Sequence, residues 1–192
     1  MNLNIKEIFE EGRTCNSFSS KDVPDNLLKE VYELAKLGPT SANCNPLRII
    51  FIKSQDEKSK LLECLMEGNV AKTKEAPVTA LFAEDLKFYT KMPSLFPHNK
   101  EFGKIYENNE PLTKDTASRN SVLQAAYFMM VARGRGLDCG PMSGFSPEKL
   151  NEAFFSGSNY KINFICNLGY KSGEAEHPRL PRLSFDEACQ II

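Results

Sequence analysis

The sequence predicts an α+β fold, with helices packed around one small central mixed β-sheet. Three observations predict it. Apolar runs of strand length occur at residues 48–53 (RIIFIK), 77–83 (PVTALFA) and 161–168 (KINFICNL). Longer stretches between them repeat apolar residues at the helical spacing. Neither type forms a block of its own, and no repeat, linker or low-complexity tract divides the chain, so one layered domain over residues 1–192 is expected.

In chain order, residues 5–11 read as a short helix. Pro24 opens a stronger one, which carries Leu27, Leu28, Val31, Leu34 and Ala35 on one face and stops at Gly38-Pro39. Residues 48–53 form a buried strand, 57–66 a helix and 77–83 a second buried strand. Residues 88–109 mix aromatic, Pro, Gly and Asn residues and read as an irregular excursion with one helical turn. Residues 113–133 are the longest helical pattern, with Val122, Leu123, Ala126, Met129 and Met130 on an apolar stripe that reads as core. Residues 134–144 read as a loop with a short apolar interruption. Residues 147–155 form a helix, 161–168 a third strand, and 184–192 a closing helix with Ser184 or Asp186 near its start.

Composition narrows the class. A chain of 192 residues can bury a core without staples. Its 41% hydrophobic and 26% charged residues match soluble globular proteins. The formal net charge of −1 provides no global field toward nucleic acid or anionic lipid, though a local basic pocket could still hold one phosphate. No run approaches the ~20 apolar residues that span a bilayer. Residues 1–13 lack the apolar region of a signal peptide, so a cytoplasmic location is expected. The six cysteines (15, 44, 64, 139, 166 and 189) form no C-x-x-C pair and read as free thiols. His98 and His177 are the only histidines and supply no metal motif. No G-x-S-x-G elbow supports a serine nucleophile. Catalytic power is therefore expected from a bound cofactor.

Glycines 134, 136 and 140 have the wrong spacing for a dinucleotide loop and follow a helix rather than a strand. Three other stretches concentrate polar and turn-forming residues. They are Gly12-Arg13-Thr14-Cys15-Asn16, residues 38–46 (GPTSANCNP) and residues 140–145 (GPMSGF). Each alone is also compatible with ordinary turn chemistry.

Together with Arg179-Leu-Pro-Arg182, the order of these motifs resembles the flavin nitroreductase family across essentially the whole chain. The chain is more similar still to the malonic semialdehyde reductases of pyrimidine breakdown. That similarity rests on GPTSANCNP, LFPH at residues 95–98, RNSVLQAAY at 119–127, LDCGPMSGF and PRLPRLSFDEAC at 178–189. The resemblance implies a nitroreductase-like fold, bound FMN, and NADH or NADPH as electron donor. It also implies a homodimer with shared flavin sites and a small-molecule electron acceptor. The implied cycle is ping-pong: NAD(P)H reduces the flavin at N5, and an acceptor then reoxidises it. Malonic semialdehyde would yield 3-hydroxypropionate. A general nitroaromatic, quinone or enone reductase is the alternative, and an FMN sensor or storage protein is a second.

By the same resemblance Arg13, with Arg179 or Arg182, grips the FMN phosphate, for which a guanidinium fork is suited, and Thr14 and Cys15 beside it belong to the cofactor site. Arg179 and Arg182 can equally be solvated surface. Asn69 and Lys72 match a pair beside the flavin's pyrimidine edge, although Lys72 can also be an ordinary exposed lysine. Pro39, Thr40, Ser41, Asn43 and Asn45 resemble the loop that reaches the partner's flavin, with Asn45 replacing the wider family's glutamine. Met142, Ser143 and Gly144 fall at the N5 edge, where Gly144 permits close backbone approach. Cys15 stands where serine is common and is given no nucleophilic role.

Overall fold

The structure, a computed structural model, describes residues 5–173 and 178–192. His177 lies outside the described residues. After a π-helical turn at Glu7–Glu11, the chain forms α1 (Asp25–Ala35), β1 (Leu47–Ile52), α2 (Gln55–Leu62), α3 (Glu67–Glu75) and β2 (Val78–Asp85). An excursion follows with α4 (Met92–Leu95) and α5 (Lys104–Glu107). Then come α6 (Glu110–Gly134), β3 (Asp138–Met142), α7 (Pro147–Phe155), β4 (Tyr160–Gly169) and α8 (Phe185–Ala188). No helix among the described residues is long and apolar enough to cross a membrane.

The sheet order is β1-β2-β4-β3, and all three pairings are antiparallel, so the expected mixed sheet is corrected. The register shows why. Ile52, which ends β1, pairs with Thr79 near the start of β2, so residues 53–77 leave and return at the same end of the sheet. One parallel pairing is present, an isolated bridge from Thr14 to Cys139 on the β3 edge.

β2 is central, and all eight of its residues are buried. Its alternation feeds two cores. Ala80 and Phe82 face α1 and α6, where Val31, Phe128 and Leu168 complete the packing. The Phe82 and Phe128 rings meet edge-on at 5.6 Å. Leu81 and Ala83 face the opposite side, against Leu61, Leu150 and Ile165. A third cluster of Phe88, Met92, Tyr106, Cys44 and Ala117 gives the excursion its own core. On α1, Leu28, Val31 and Ala35 are buried as the spacing predicts, while Leu34 is exposed.

Three further expectations are revised. The stripe assigned to the core of α6 is only partly inward: Val122, Leu123 and Met130 are about two-fifths exposed, while Ala126 is half-buried and Met129 packs against the main core. Its inward side carries Ala117, Ala125, Phe128 and Ala132, together with buried Asn120, Ser121 and Gln124. Those polar groups are satisfied: Ser41 N donates to Asn120 Oδ1 at 2.8 Å, and Leu47 N donates to Gln124 Oε1 at 3.0 Å. Residues 138–142, read as loop, form β3; Pro141 is tolerated because β3 is an edge strand. The closing helix is only Phe185–Ala188, held by a capping box between Ser184 and Glu187.

Candidate functional site

The segment after the N-terminal turn lies along the free edge of β3. Cys15 N donates to Cys139 O at 3.0 Å, next to the Thr14 bridge. A Cβ at position 140 would collide with the Cys15 carbonyl, so this close approach requires Gly140. Cys15 is buried, and its thiol donates to Ser17 O at 3.1 Å. Burial, then the Asp138 carboxylate, pushes its pKa up to about 11. At neutral pH it is an uncharged thiol, which fits the absence of a nucleophilic role.

Arg13 and Thr14 line an open cleft of about 380 Å³, together with Arg133, Arg179 and Arg182. Four arginines thus line one cleft, and no carboxylate lines it among the described residues. Its walls are built deliberately. Arg133 Nη2 donates to Arg13 O at 3.1 Å, and its Nη1 donates to Ile8 O at 3.3 Å. Arg179 Nη2 donates to Glu10 O at 2.6 Å and to Phe9 O at 2.9 Å. Arg182 bonds its own neighbours' carbonyls, Leu180 O at 2.9 Å and Pro181 O at 3.0 Å. Arg133 was not anticipated; a basic residue in the last turn of a long helix reads as an ordinary helix-dipole partner. A smaller, partly open pocket of about 60 Å³ adjoins the cleft and is more mixed in charge, lined by Glu11, Arg13, Cys15, Asp138 and Lys171.

The other end of β3 carries Met142, Ser143 and Gly144. Five residue steps of extended chain lead from Asp138 to Ser143, about 17 Å. Here β3 meets α3, a helix the sequence reading did not anticipate. Gly144 O accepts from Met66 N at 3.0 Å and from Asn69 Nδ2 at 2.8 Å. A Cβ at 144 would collide with Asn69 Nδ2. The glycine therefore leaves room first for Asn69. Ser143 is exposed, and Asn69 and Lys72 are half-buried on α3. The structure thus places Arg13, Thr14, Cys15, Arg179 and Arg182 near one end of β3, and Asn69, Met142, Ser143 and Gly144 at the other. Lys72 lies on the same helix as Asn69.

Residues 39–46 are not joined to this line by the hydrogen bonds found among the described residues. Their bonds run to α6 and the excursion instead. Tyr127 OH donates to Pro39 O at 3.1 Å, Gln124 Nε2 to Asn45 Oδ1 at 2.9 Å, and Asn43 Nδ2 to Leu95 O at 2.7 Å. Ala42, Asn43 and Asn45 have φ of 46°, 53° and 43°. Asparagine tolerates the left-handed region; alanine there costs roughly 1 kcal/mol or more. Pro39, Ser41 and Asn43 are exposed, and Thr40 and Asn45 are half-buried. A groove of about 820 Å³ between α1, β1 and α7 contains none of the residues singled out from the sequence.

Comparison with known proteins bears on this arrangement. The nitroreductase family profile matches residues 10–170. A Polynucleobacter asymbioticus protein with the provisional name NADH dehydrogenase/NAD(P)H nitroreductase is 47% identical over 188 residues, covering 98% of this chain and 95% of the relative. A Staphylococcus epidermidis structure, provisionally named an NAD(P)H:FMN oxidoreductase, superposes with a TM-score of 0.88 at 21% identity, covering 100% of this chain and 98% of its own. An Exiguobacterium sibiricum structure, provisionally a nitroreductase and solved in complex with FMN, has a TM-score of 0.82 at 19% identity, with 100% and 98% covered. With a profile over most of its length and a relative this similar, the chain belongs to the nitroreductase family.

Proposed function

We propose that this protein is an FMN-dependent NAD(P)H oxidoreductase that acts as a homodimer. The observation that carries the reading is the cleft lined by four arginines and, among the described residues, by no carboxylate, which suits a phosphate dianion. The rest of the site fits the remainder of FMN. The edge of β3 leads from that cleft to exposed Ser143 and Gly144, and Asn69 and Lys72 stand on α3 beside it. Bound FMN supplies hydride acceptance and donation at N5. The chain's own contribution is to bind, orient and tune. Arg13, helped by Arg179 or Arg182, would hold the phosphate. The Ser143–Gly144 backbone would hold the N5 edge. Lys72 would supply a cation to the pyrimidine edge, where negative charge develops on reduction.

The exposed apolar side of α6, with Val122, Leu123 and Met130, supports a second copy as partner. The strained loop at residues 39–46 then reaches the partner's site with Ser41, Asn43 and Asn45. We assign malonic semialdehyde as the acceptor on the motifs shared with that subfamily.

The test is the visible spectrum of protein purified with added FMN, followed by anaerobic titration with NADH and with NADPH. A yellow protein, rapidly bleached by either donor, is expected. Absence of flavin absorbance would overturn the cofactor assignment, and bound flavin that neither donor reduces would favour a sensor or store. Parallel turnover of malonic semialdehyde and a nitroarene then separates the specific reductase from a general one.

A further inference from the structure

Beneath α3, in the part of the sheet that faces it, is a fully buried polar chain. Asn167 sits on β4, opposite Thr79 on β2 and Gly140 on β3. Thr79 Oγ1 donates to Asn167 Oδ1 at 2.7 Å, and Asn167 Nδ2 donates to Thr73 Oγ1 at 3.0 Å. Thr73 Oγ1 in turn lies 3.7 Å from Met142 Sδ, as donor to the thioether. Thr73, Thr79 and Asn167 are 0% exposed. Burying an amide and two hydroxyls costs several kcal/mol unless each is bonded, and apolar side chains would fill the same space without that constraint. What the polar chain adds is direction, because it works only with α3 in one position.

That position matters to the site. Thr73 lies one helical turn beyond Asn69, on the same side of α3. Asn69 holds the Gly144 carbonyl, and Met142 immediately precedes Ser143. α3 is thus fastened twice, to the Ser143–Gly144 loop through Asn69 and to the sheet through Thr73. Lys72 lies between the two attachments in sequence. Of the nine residues of this helix only Thr73 is buried, and its two caps are held by Met66 N donating to Gly144 O and by Lys58 Nζ donating to Ala76 O.

We propose that Asn167, with Thr73 and Thr79, is a positioning residue for the redox site, fixing α3 so that Lys72 and Asn69 face the flavin at the correct distance. The inference rests on the function proposed above. Lys72 sets how well charge on the reduced cofactor is stabilised, and its placement follows from a hydrogen bond made one residue away. If the helix is released, the cation recedes and the bound flavin becomes harder to reduce.

The experiment uses FMN-loaded protein and compares the parent with Thr73→Val, Thr73→Ser and Asn167→Leu. Val keeps the shape of Thr and removes its hydroxyl, while Ser retains the hydroxyl. Leu150→Val, a core change on the same side of the sheet, controls for lost stability. In Thr73→Val and Asn167→Leu, the midpoint potential of bound flavin should move negative. The anaerobic rate of reduction by NADH should fall by about tenfold or more, since misplacement on the order of 1 Å can cost about a hundredfold. Thr73→Ser should restore both values, and Leu150→Val should lower only the melting temperature. Unchanged potential and rate in flavin-loaded Thr73→Val and Asn167→Leu would overturn the proposal, as would an equal shift in Leu150→Val. A parent protein without flavin, or one that NADH does not reduce, would instead count against the functional reading itself.

Discussion

Asn69 and Gly144 determine one another: the carboxamide donates to the glycine carbonyl at 2.8 Å and occupies the space where a side chain at 144 would be. Gly144→Ala should therefore act through Asn69. The added methyl displaces the carboxamide, and one hydrogen bond is worth about 1 kcal/mol, so flavin reduction should slow about fivefold. Stopped-flow rates for Gly144→Ala, Asn69→Ala and the double variant test the coupling. If the two effects simply add, the residues act independently.

Arg13→Ala should weaken FMN binding about tenfold or more, the value of one charge-assisted bond. Arg48→Ala should leave affinity unchanged and lower stability instead. Arg48 Nη2 meets Asp85 Oδ2 at 2.6 Å, and the Asp85 side chain is only 8% exposed, so truncation strands a buried carboxylate. Fluorescence titration of FMN and thermal melts on both variants check this. Equal FMN affinities would remove the phosphate site from Arg13.

Burial between the sheet and α6 holds the Glu84 carboxyl above its ordinary value of 4.5, and Lys161, Asn163 and Ser118 draw it part of the way back. Because the folded value is the raised one, this group's contribution to stability is complete below the ordinary value. It is lost as pH rises through the folded value. Glu84→Gln, neutral throughout, should therefore raise the melting temperature at pH 7 and lose that advantage on acidification toward pH 4. A difference from the parent that stays constant between the two pH values would refute the assignment.

Leu123→Asp should split the proposed dimer. Leu123 is 41% exposed, so the charge costs the isolated chain little, roughly 0.5 kcal/mol or less. In a twofold interface the same charge appears on both subunits and repels itself. Sedimentation with and without FMN should show a monomer with reduced flavin content. A flavin-loaded Leu123→Asp dimer would exclude this side of α6 from the interface.

Where local chemistry determined an element, the sequence was sufficient. α7 is legible to the residue, because Ser146 caps it and Pro147 opens it. β2 announced itself as a continuous apolar run because both its sides are covered. What was missed is held from outside. α3, with sequence EGNVAKTKE, has no apolar stripe, and its hydrogen bonds to Gly144 and Asn167 come from residues 75 and 94 positions away. The buried side of α6 was misjudged at Val122, Leu123 and Met130, because its inward side spends polar residues on loop backbones while these apolar ones stay exposed. The arginines at 13, 179 and 182 were legible as a set, and the structure lines one cleft with all three. Arg133, which completes that cleft, carries no local signal.

The antiparallel order leaves β1 as an outer strand, and its sequence LRIIFI is short, apolar, β-branched and without proline. Such a strand is a template on which another chain can nucleate a fibril. This one is bracketed by two cations held in place by acids. Arg48 near its start is tied to Asp85, and Lys53 just past its end bonds Asp25 at 2.8 Å. Each end of the apolar run therefore carries a cation, a charge placement that disfavours edge-to-edge pairing with another chain. The consequence concerns solubility rather than catalysis, since neither cation is among the residues of the proposed site.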